Sequence, residues 1–214
     1  MAEIPIILKL KKQMQRNIAL AQDILVKELF SVFNDAVLHG GTAIWRCYKG
    51  ERFSEDIDAY LPKDKKRLEI FFKNLENKGF KFEKKKISEN SICSSLIIDR
   101  TAVRFEAVFK KIKGSLKEYE DCRGNFITIN TLTPEEIIKE KVQAYQKRLK
   151  IRDLYDIFFL LRYVNNKELV KEDLTTFIKN FKNPLDAPDL RAILLESLVP
   201  SVSSMLNYIS KEAT

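Results

Sequence analysis

The chain has 214 residues, of which 45% are apolar, and it carries a formal net charge of +8. This length and apolar content suit one large domain, or two small domains with a shared core, and they exclude an intrinsically disordered chain. No apolar run reaches the roughly 18 residues that cross a bilayer, and the lysines near the start follow the first apolar segment instead of preceding it as in a signal peptide, so we expect a cytoplasmic protein without a membrane partner.

The cysteine content and the net charge exclude a few kinds of site but do not identify the function. Three widely spaced cysteines and a single histidine, His39, exclude the usual zinc sites and favour a reducing compartment. The positive charge comes mostly from clustered lysines, and it favours a polyanionic partner such as nucleic acid. The same composition is also typical of genome bias or of adaptation to heat, so charge alone leaves both explanations open.

The first sixty residues predict two helices and two strands. Apolar residues at helical spacing predict a helix over about residues 9–33. A short strand over residues 36–39 then ends at two adjacent glycines, and a helix is predicted to open with Thr42 as its N-cap. Residues 56–61 alternate between acidic and apolar types and end at a proline, which predicts a second strand.

The middle of the chain is predicted to be mainly strands. An amphipathic helix closed by Gly79 comes first. Three strand-like runs follow, and they lie close enough in sequence for hairpin connections: residues 81–87, 92–99 and 101–110. A further short strand is predicted over residues 126–129.

The last eighty residues are predicted to be helical throughout. Thr133 is a good N-cap, and Pro134 suits the first turn of the helix that follows. Helices are predicted at about residues 135–150, 152–164, 171–181, 187–198 and 201–211. The chain is therefore predicted to consist of an α/β domain over residues 1–132 and a helical domain over residues 133–214.

The predicted strand 56–61 contains two acids one residue apart. Side chains at positions i and i+2 of a strand point to the same side, so Asp56 and Asp58 would lie about 6.6 Å apart at Cα and repel by roughly 3 kcal/mol at an effective dielectric near 20. An exposed strand tolerates this repulsion, whereas a strand with buried intervening positions is expected to hold a cation there. Mg²⁺ or Mn²⁺ binds such carboxylates together with phosphate oxygens.

A third carboxylate is expected from a neighbouring strand. The run over residues 101–110 offers Glu106 in strict alternation, on the opposite face from Val103 and Phe105. Asp99 competes for the role, but it stands at a strand end beside a predicted turn. Glu106 is therefore the preferred third metal ligand.

The adjacent glycines suggest an anion site. Gly40 and Gly41, directly before a helix N-terminus, would expose backbone N–H groups that no Cβ shields. A Gly-Gly pair alone is more often a tight turn, but here it precedes the Asp-x-Asp strand by about fifteen residues. The segment is neither a P-loop nor a dinucleotide fingerprint, because it lacks Gly-Lys-Ser/Thr and Gly-x-Gly-x-x-Gly.

These features together resemble a known family. Gly-Gly-Thr, a short helix, Asp-x-Asp and a later strand acid resemble the nucleotidyltransferase superfamily related to DNA polymerase β. More narrowly, "GGTAIWRCYKGERFSEDIDAYL" resembles the first motif of the AbiEii/AbiGii toxin family, which includes MenT-like toxins. The resemblance implies that Asp56 and Asp58 carry catalytic metal and that Arg52 and Ser54 lie near the triphosphate. It also implies an α+β fold, with a polymerase-β-like mixed sheet flanked by helices and a C-terminal helical bundle that completes the active-site cleft.

A second motif lies in "TPEEIIKEKVQAYQKRLKIRDLYDIFFLL". Lys141, Tyr145, Arg148 and Arg152 are four, three and four residues apart, which predicts that they share one helix face. Such a polar stripe is usually solvated surface.

The acids of this motif favour a functional interpretation. Asp156 lies among apolar residues, where a charge is costly unless paired, so Lys141 or Arg148 is expected to pair with it. Asp153 also fits the simpler explanation that an acid is favourable near a helix N-terminus. The segment again resembles the AbiEii pattern, which implies that Lys141 contacts nucleotide phosphate and that both aspartates, with Arg148, lie at or beside the active site.

The predicted function is metal-dependent transfer of a nucleoside monophosphate from an NTP to an acceptor, with release of pyrophosphate. The metal ligands would be Asp56, Asp58 and Glu106, Lys141 would stabilise developing phosphate charge, and the triphosphate would be held by Gly40, Gly41, Thr42, Arg52, Ser54 and Arg148. The resemblance implies the 3′ end of tRNA as the acceptor and a protein antitoxin as a partner. A small-molecule or protein acceptor, or a catalytically silent RNA- or nucleotide-binding regulator, remains open.

Overall fold

A computed structural model describes residues 4–195 and 198–213. These residues form two compact units. The first unit contains the described residues up to Cys47 together with Phe53–Thr131, and the second contains Tyr48–Arg52 together with the described residues from Leu132 onwards. The short segment Tyr48–Arg52 therefore packs with the helical unit although it lies within the sequence of the other.

The first unit combines helices with a sheet. Its helices are α1 (Ile6–Lys9), α2 (Gln13–Val32), α3 (Gly40–Cys47) and α4 (Lys65–Asn77). Its strands are β1 (Val37–His39), β2 (Asp56–Leu61), β3 (Lys81–Ile87), β4 (Ser91–Ile98), β5 (Thr101–Phe109), β6 (Ser115–Glu120) and β7 (Phe126–Thr131).

In the described residues the strands form one seven-stranded mixed sheet in the order β3-β4-β5-β2-β1-β7-β6. Strand β2 is antiparallel to β1 and parallel to β5, and β1 is parallel to β7. Alternation along β2 and β5 buries Ile57 and Phe105 on the side covered by helices, where Phe71 of α4 packs edge-on against Phe105. The predicted α+β fold with a mixed sheet flanked by helices is confirmed.

Strand β6 has no counterpart among the predicted elements. Its sequence, SLKEYE, buries only Tyr119 and Glu120, so it lacks the period-two alternation by which a strand is recognised. Its backbone pairing with β7 supplies the order that its side-chain pattern does not indicate.

The second unit is helical. It contains α5 (Pro134–Arg148), α6 (Ile151–Leu160), α7 (Glu168–Lys179), α8 (Leu190–Ile193) and α9 (Val202–Glu212). Helix α5 begins as predicted, since the Thr133 hydroxyl accepts from the Glu136 N–H and the Glu136 carboxylate accepts from the Thr133 N–H. The helix predicted over residues 187–198 is a 3₁₀ turn, Ala187–Asp189, followed by α8, and residues 196 and 197 lie outside the described residues.

The break between α5 and α6 corrects one prediction. Leu149 adopts the left-handed conformation, with φ of 50°, and ends α5, so Arg152 belongs to the next helix. The prediction that Arg152 shares one helix face with Lys141, Tyr145 and Arg148 is therefore wrong. No helix in the described part of the chain is both long enough and apolar enough to span a membrane.

Candidate active site

The two acids of β2 lie on one face of the sheet. Ile57, between them, is fully buried, whereas Asp56 and Asp58 are half-buried on the opposite side. In the parallel pairing of β2 with β5, Asp58 is opposite Glu106, which places these two carboxylates on the same face of adjacent strands. Asp99, the alternative third acid, lies instead at the β4–β5 turn, with φ of 46°.

The glycine turn directly adjoins this face. Helix α3 begins at Gly40, whose φ of +71° is rarely adopted by other residues. A Cβ at this position would overlap Asp58 Oδ2 and would lie 3.1 Å from both Cβ and Cγ of Asp58. Gly41 follows as a buried residue of the first turn of α3. Residue 40 must therefore be glycine for the Asp58 carboxylate to occupy its position.

Thr42 and Ser54 lie inside the unit and not on its surface. The prediction that Thr42 caps α3 is wrong, because the helix already begins at Gly40. The fully buried Thr42 hydroxyl instead donates to the carbonyl oxygen of Asp56 at 2.5 Å, which links α3 to β2. Ser54 is buried, and its carbonyl oxygen accepts from Gln22 Nε2 of α2 at 3.0 Å.

Arg104 lies between two of the acids. Its Nε is 3.5 Å from Asp56 Oδ1, and its Nη1 is 3.8 Å from Glu106 Oε1. Its side chain is 57% exposed. The guanidinium therefore neutralises part of the repulsion between the carboxylates, at distances that make the ion pairs weak.

The donor chemistry of the acids suits a hard divalent cation, because Mg²⁺ and Mn²⁺ prefer carboxylate oxygens. Asp56 and Asp58 fit such an ion, since they share one face of β2, and the missing Cβ of Gly40 lets the Asp58 carboxylate lie against the glycine turn. Within residues 4–195 and 198–213, however, no three acidic, histidine or cysteine side chains are grouped closely enough to hold a metal ion. Glu106 Oε1 lies 3.8 Å from Arg104 Nη1.

The second unit contains a buried cluster of charges around Asp156. Arg52 Nε and Nη2 donate to the two carboxylate oxygens of Asp156 at 2.5 and 2.6 Å, and Lys141 Nζ lies 2.7 Å from Oδ2. Asp156 is fully buried, which alone would raise its pKa, but the charges and hydrogen bonds of Arg52 and Lys141 lower the pKa below its usual value. Of the two cations predicted as partners of Asp156, Lys141 forms this ion pair, and Arg148 binds Asp153.

Arg148 belongs to the other end of the same cluster. Its Nε and Nη2 each donate to a carboxylate oxygen of the buried Asp153 at 2.7 Å, and Lys141 Nζ lies 3.5 Å from Asp153 Oδ1. Lys141 is 7% exposed and lies between the two aspartates, so it is not part of a solvated polar stripe. Three cations and two anions leave this cluster with a formal charge of +1.

The partnership of Arg52 with Asp156 has no signal in the sequence, because 104 residues separate them. The structure holds Arg52 in place through its backbone as well. Arg52 forms an isolated β-bridge with Leu194, and the Leu195 N–H donates to the Glu51 carbonyl at 2.9 Å. Tyr48, at the start of the same segment, donates its hydroxyl to the Leu132 carbonyl at 2.6 Å.

Comparisons with known proteins agree with this architecture. Residues 23–201 match the family model described as "Nucleotidyl transferase AbiEii toxin, Type IV TA system". A comparison with curated proteins found no match. Among solved structures, the chain is similar to MenT4, a nucleotidyltransferase toxin from Mycobacterium tuberculosis H37Rv, with 18% identity and a TM-score of 0.65 over 94% of this chain and 82% of that one.

The fold is also similar to that of JHP933 from Helicobacter pylori, with 19% identity and a TM-score of 0.64 over 94% of this chain and 91% of that one. At these identities the two likenesses establish a shared fold. The family model, by contrast, covers most of the chain. This protein therefore belongs to the AbiEii family of nucleotidyltransferase toxins.

Proposed function

We propose that this protein transfers a nucleoside monophosphate from an NTP to the 3′ end of tRNA, with release of pyrophosphate and with Mg²⁺ or Mn²⁺ held by Asp56 and Asp58. The class of reaction follows from the family. The acceptor, the metal and the roles of individual residues go beyond the family description. The observation that carries them is the placement of both acids on one face of β2, directly beside the glycine turn.

The acids and the turn have complementary roles in this proposal. A divalent ion bound at such a site neutralises phosphate charge and activates an attacking oxygen. Asp56 and Asp58 would hold that ion, with Glu106 as the third ligand from the adjacent strand. The backbone N–H groups of Gly40, Gly41 and Thr42, in the first turn of α3, would donate hydrogen bonds to triphosphate oxygens, because the first N–H groups of a helix have no acceptor within it.

The cation cluster of the second unit would serve the nucleotide phosphates. Lys141 would stabilise developing negative charge, with Arg52 and Arg148 as further cations for the triphosphate. The buried carboxylates of Asp153 and Asp156 hold these three cations through short contacts. The cationic side chains are therefore already ordered before a phosphate binds.

The acceptor is inferred from the family and from charge. The family description names a toxin–antitoxin system, so an antitoxin partner and an NTP substrate are implied. A tRNA acceptor is supported by the net charge of +8, because a positive protein attracts the phosphate backbone of RNA. Ser54, two residues before Asp56, would lie near the triphosphate.

The test is a transfer assay. Purified protein is incubated with each α-labelled NTP, with Mg²⁺ or Mn²⁺, and with total RNA, and label is expected at the 3′ end of tRNA. Asp56→Asn and Asp58→Asn are each expected to reduce transfer by more than about 100-fold, since even outer-shell partners of a metal typically contribute 10- to 100-fold. Asp99→Asn is the matched control, because it removes an exposed carboxylate from a left-handed turn position that asparagine also accepts.

The outcomes separate the alternatives. Label on a protein or a small molecule, with none on RNA, would replace tRNA by that acceptor. Binding of NTP and metal without any transfer of label would support a silent regulator. Undiminished transfer in both Asp56→Asn and Asp58→Asn would remove the assignment of these acids.

A further inference from the structure

The face of the sheet that carries the acids continues to the edge strand β3. Directly opposite residues on paired strands point to the same face. Asp58 is opposite Glu106 on β5, Glu106 is opposite Cys93 on β4, and Cys93 is opposite Lys86 on β3. One row of side chains therefore leads from the β2 acids to a lysine at the edge of the sheet.

The neighbouring row has the same arrangement. Asp56 is opposite Arg104, Arg104 is opposite Ser95, and Ser95 is opposite Lys84. Neighbouring strands are about 4.8 Å apart, so the Cα atoms of Lys84 and Arg104 are separated by roughly 10 Å across the sheet. Both rows thus end in exposed lysines. The distance from these lysines to the β2 acids corresponds to the length of a few nucleotides.

The remaining charges of β3 define this surface. Lys81 is opposite Ile97 and also lies on the face of the acids, so we call Lys81, Lys84 and Lys86 the β3 lysine track. Glu83, at an irregularity in the β3–β4 pairing, accepts a hydrogen bond from Ser95 Oγ at 2.8 Å and contributes one negative charge to the same face. Three lysines and one glutamate leave a formal charge of +2 on this part of the face.

Lys85 points to the other face and provides an internal comparison. Its Nζ lies 4.0 Å from the ring centroid of Phe72 and 4.8 Å from that of Phe82. It lines a groove of about 540 Å³ between α4 and β3, together with Lys65 and Lys73. The alternation of the strand therefore separates Lys85 from the β3 lysine track.

We propose that the β3 lysine track binds backbone phosphates of the RNA acceptor and guides the acceptor along this face of the sheet towards Asp56 and Asp58. This inference rests on the proposed function and adds the surface that receives the RNA. Charge complementarity carries it, because a polyanion that approaches two half-buried carboxylates needs cations along its path. The simpler role of edge lysines, protection of an open edge against aggregation, needs only charge on the edge and does not need alignment with the acids.

The test compares two variants of equal charge. K81Q/K84Q/K86Q removes the β3 lysine track, and K65Q/K73Q/K85Q removes three lysines from the opposite side of the same edge. Binding of labelled tRNA is measured without NTP over a range of salt concentrations. For the track variant, the slope of log affinity against log salt is expected to become shallower by about 2, since each phosphate contact with a single strand contributes about 0.7.

In the transfer assay, the track variant is expected to raise the KM for RNA about tenfold or more while the KM for NTP stays unchanged. The control variant is expected to change neither value by more than about twofold. Thermal unfolding of each variant shows whether it is folded, and the single variant Lys86→Gln, with a smaller effect in the same direction, replaces the triple variant if that one does not fold.

Equal changes in the track and control variants would overturn the proposal, and so would aggregation of the track variant with unchanged RNA affinity of its soluble fraction. Failure of the proposed function is distinguishable from either outcome. The wild-type protein could transfer no label to any RNA and still bind tRNA in a salt-sensitive way. If that binding is lost in the track variant and kept in the control variant, the proposed RNA surface is supported and the proposed reaction is not.

Discussion

The α-carbon of Gly40 lies against the carboxylate of Asp58, so closely that a Cβ at residue 40 would overlap Oδ2. The two residues come together because β1 and β2 are antiparallel neighbours and His39 is opposite Asp58. This contact gives a physical reason why a glycine precedes the Asp-x-Asp strand. The glycine turn and the acid are in direct contact, and a side chain at residue 40 would displace the acid.

Gly40→Ala is expected to reduce nucleotidyl transfer by more than about tenfold, because Asp58 has to move to admit the methyl group. The substitution also places alanine at a φ of +71°, which costs about 1 kcal/mol in the free energy of unfolding even without the overlap. Gly79→Ala is the matched control, since its φ is +94° and nothing lies within 4 Å of an added Cβ. Transfer rates and urea unfolding are compared for the two variants.

The informative result is the difference in activity between Gly40→Ala and Gly79→Ala. Both substitutions are expected to lower the free energy of unfolding, because each places alanine at a positive φ. Only Gly40→Ala is expected to reduce activity. If both variants retain wild-type activity, the contact with Asp58 has no part in the reaction.

The sheet is largely predictable from sequence because its central strands follow local patterns. Alternation in β2 and β5 is dictated by burial of Ile57 and Phe105, and the structure places the strands where that alternation indicates. Strand β6 fails the same criterion because only its last two residues are buried. The alternation of apolar and polar residues therefore predicts a strand with one buried face along its whole length. It does not predict a strand that is ordered mainly by backbone pairing.

The site is predictable only in part, because its long-range contacts leave no local trace. The Asp-x-Asp spacing alone predicts that Asp56 and Asp58 share a face. Nothing near Arg52 indicates that its guanidinium binds Asp156, since the contact joins positions 104 residues apart. The sequence misplaces the start of α3 for a different reason. Threonine is a common N-cap, but the helix begins at Gly40, two residues before Thr42.

Arg104 is expected to compete with metal for the acids. Its guanidinium lies 3.5 Å from Asp56 and 3.8 Å from Glu106, so it partly neutralises the negative charge to which a divalent cation would bind. Arg104→Gln is expected to lower the Kd for Mn²⁺ about two- to fivefold, which corresponds to the roughly 1 kcal/mol upper range of an exposed ion pair. Titration calorimetry without nucleotide measures this directly.

Arg104→Lys is the charge-conserving control and is expected to bind Mn²⁺ within about twofold of the wild-type affinity. The variant Asp56→Asn in the same titration locates the ion, since it is expected to weaken binding in both backgrounds. Weaker Mn²⁺ binding by Arg104→Gln than by the wild-type protein would show that Arg104 supports the site instead of competing for it.

Asp156→Asn is expected to destabilise the protein by about 3–5 kcal/mol, because it leaves the buried cations Arg52 and Lys141 without their shared counter-charge. The matched control is Asp173→Asn, which removes an acid from an exposed pair with Lys139 at 3.9 Å and is expected to cost less than about 1 kcal/mol. Urea unfolding monitored by circular dichroism gives both values. Equal, small losses in the two variants would mean that the buried cluster adds no net stability.

Asp121 is expected to make stability depend on acid pH. Burial alone would raise the pKa of this carboxyl, but hydrogen bonds from Lys27 Nζ at 2.7 Å and from the backbone N–H groups of Asn125 and Arg123 bring the pKa to about 2. A carboxyl whose pKa is lower in the folded state stabilises that state fully above its unfolded pKa, near 3.8, and the contribution is lost as pH falls towards 2.

The measurement is the free energy of unfolding of wild type and Asp121→Asn at several pH values between 7 and 2. The two proteins are expected to differ most above about pH 5 and to converge as the pH approaches 2, because protonation removes the same charge that the substitution removes. The exposed Asp99→Asn serves as a reference for the loss of a surface carboxylate in the same unit. A difference between wild type and Asp121→Asn that stays constant from pH 7 to pH 2 would show that the Asp121 carboxylate charge contributes no stability, and that only the shape of the side chain matters at this position.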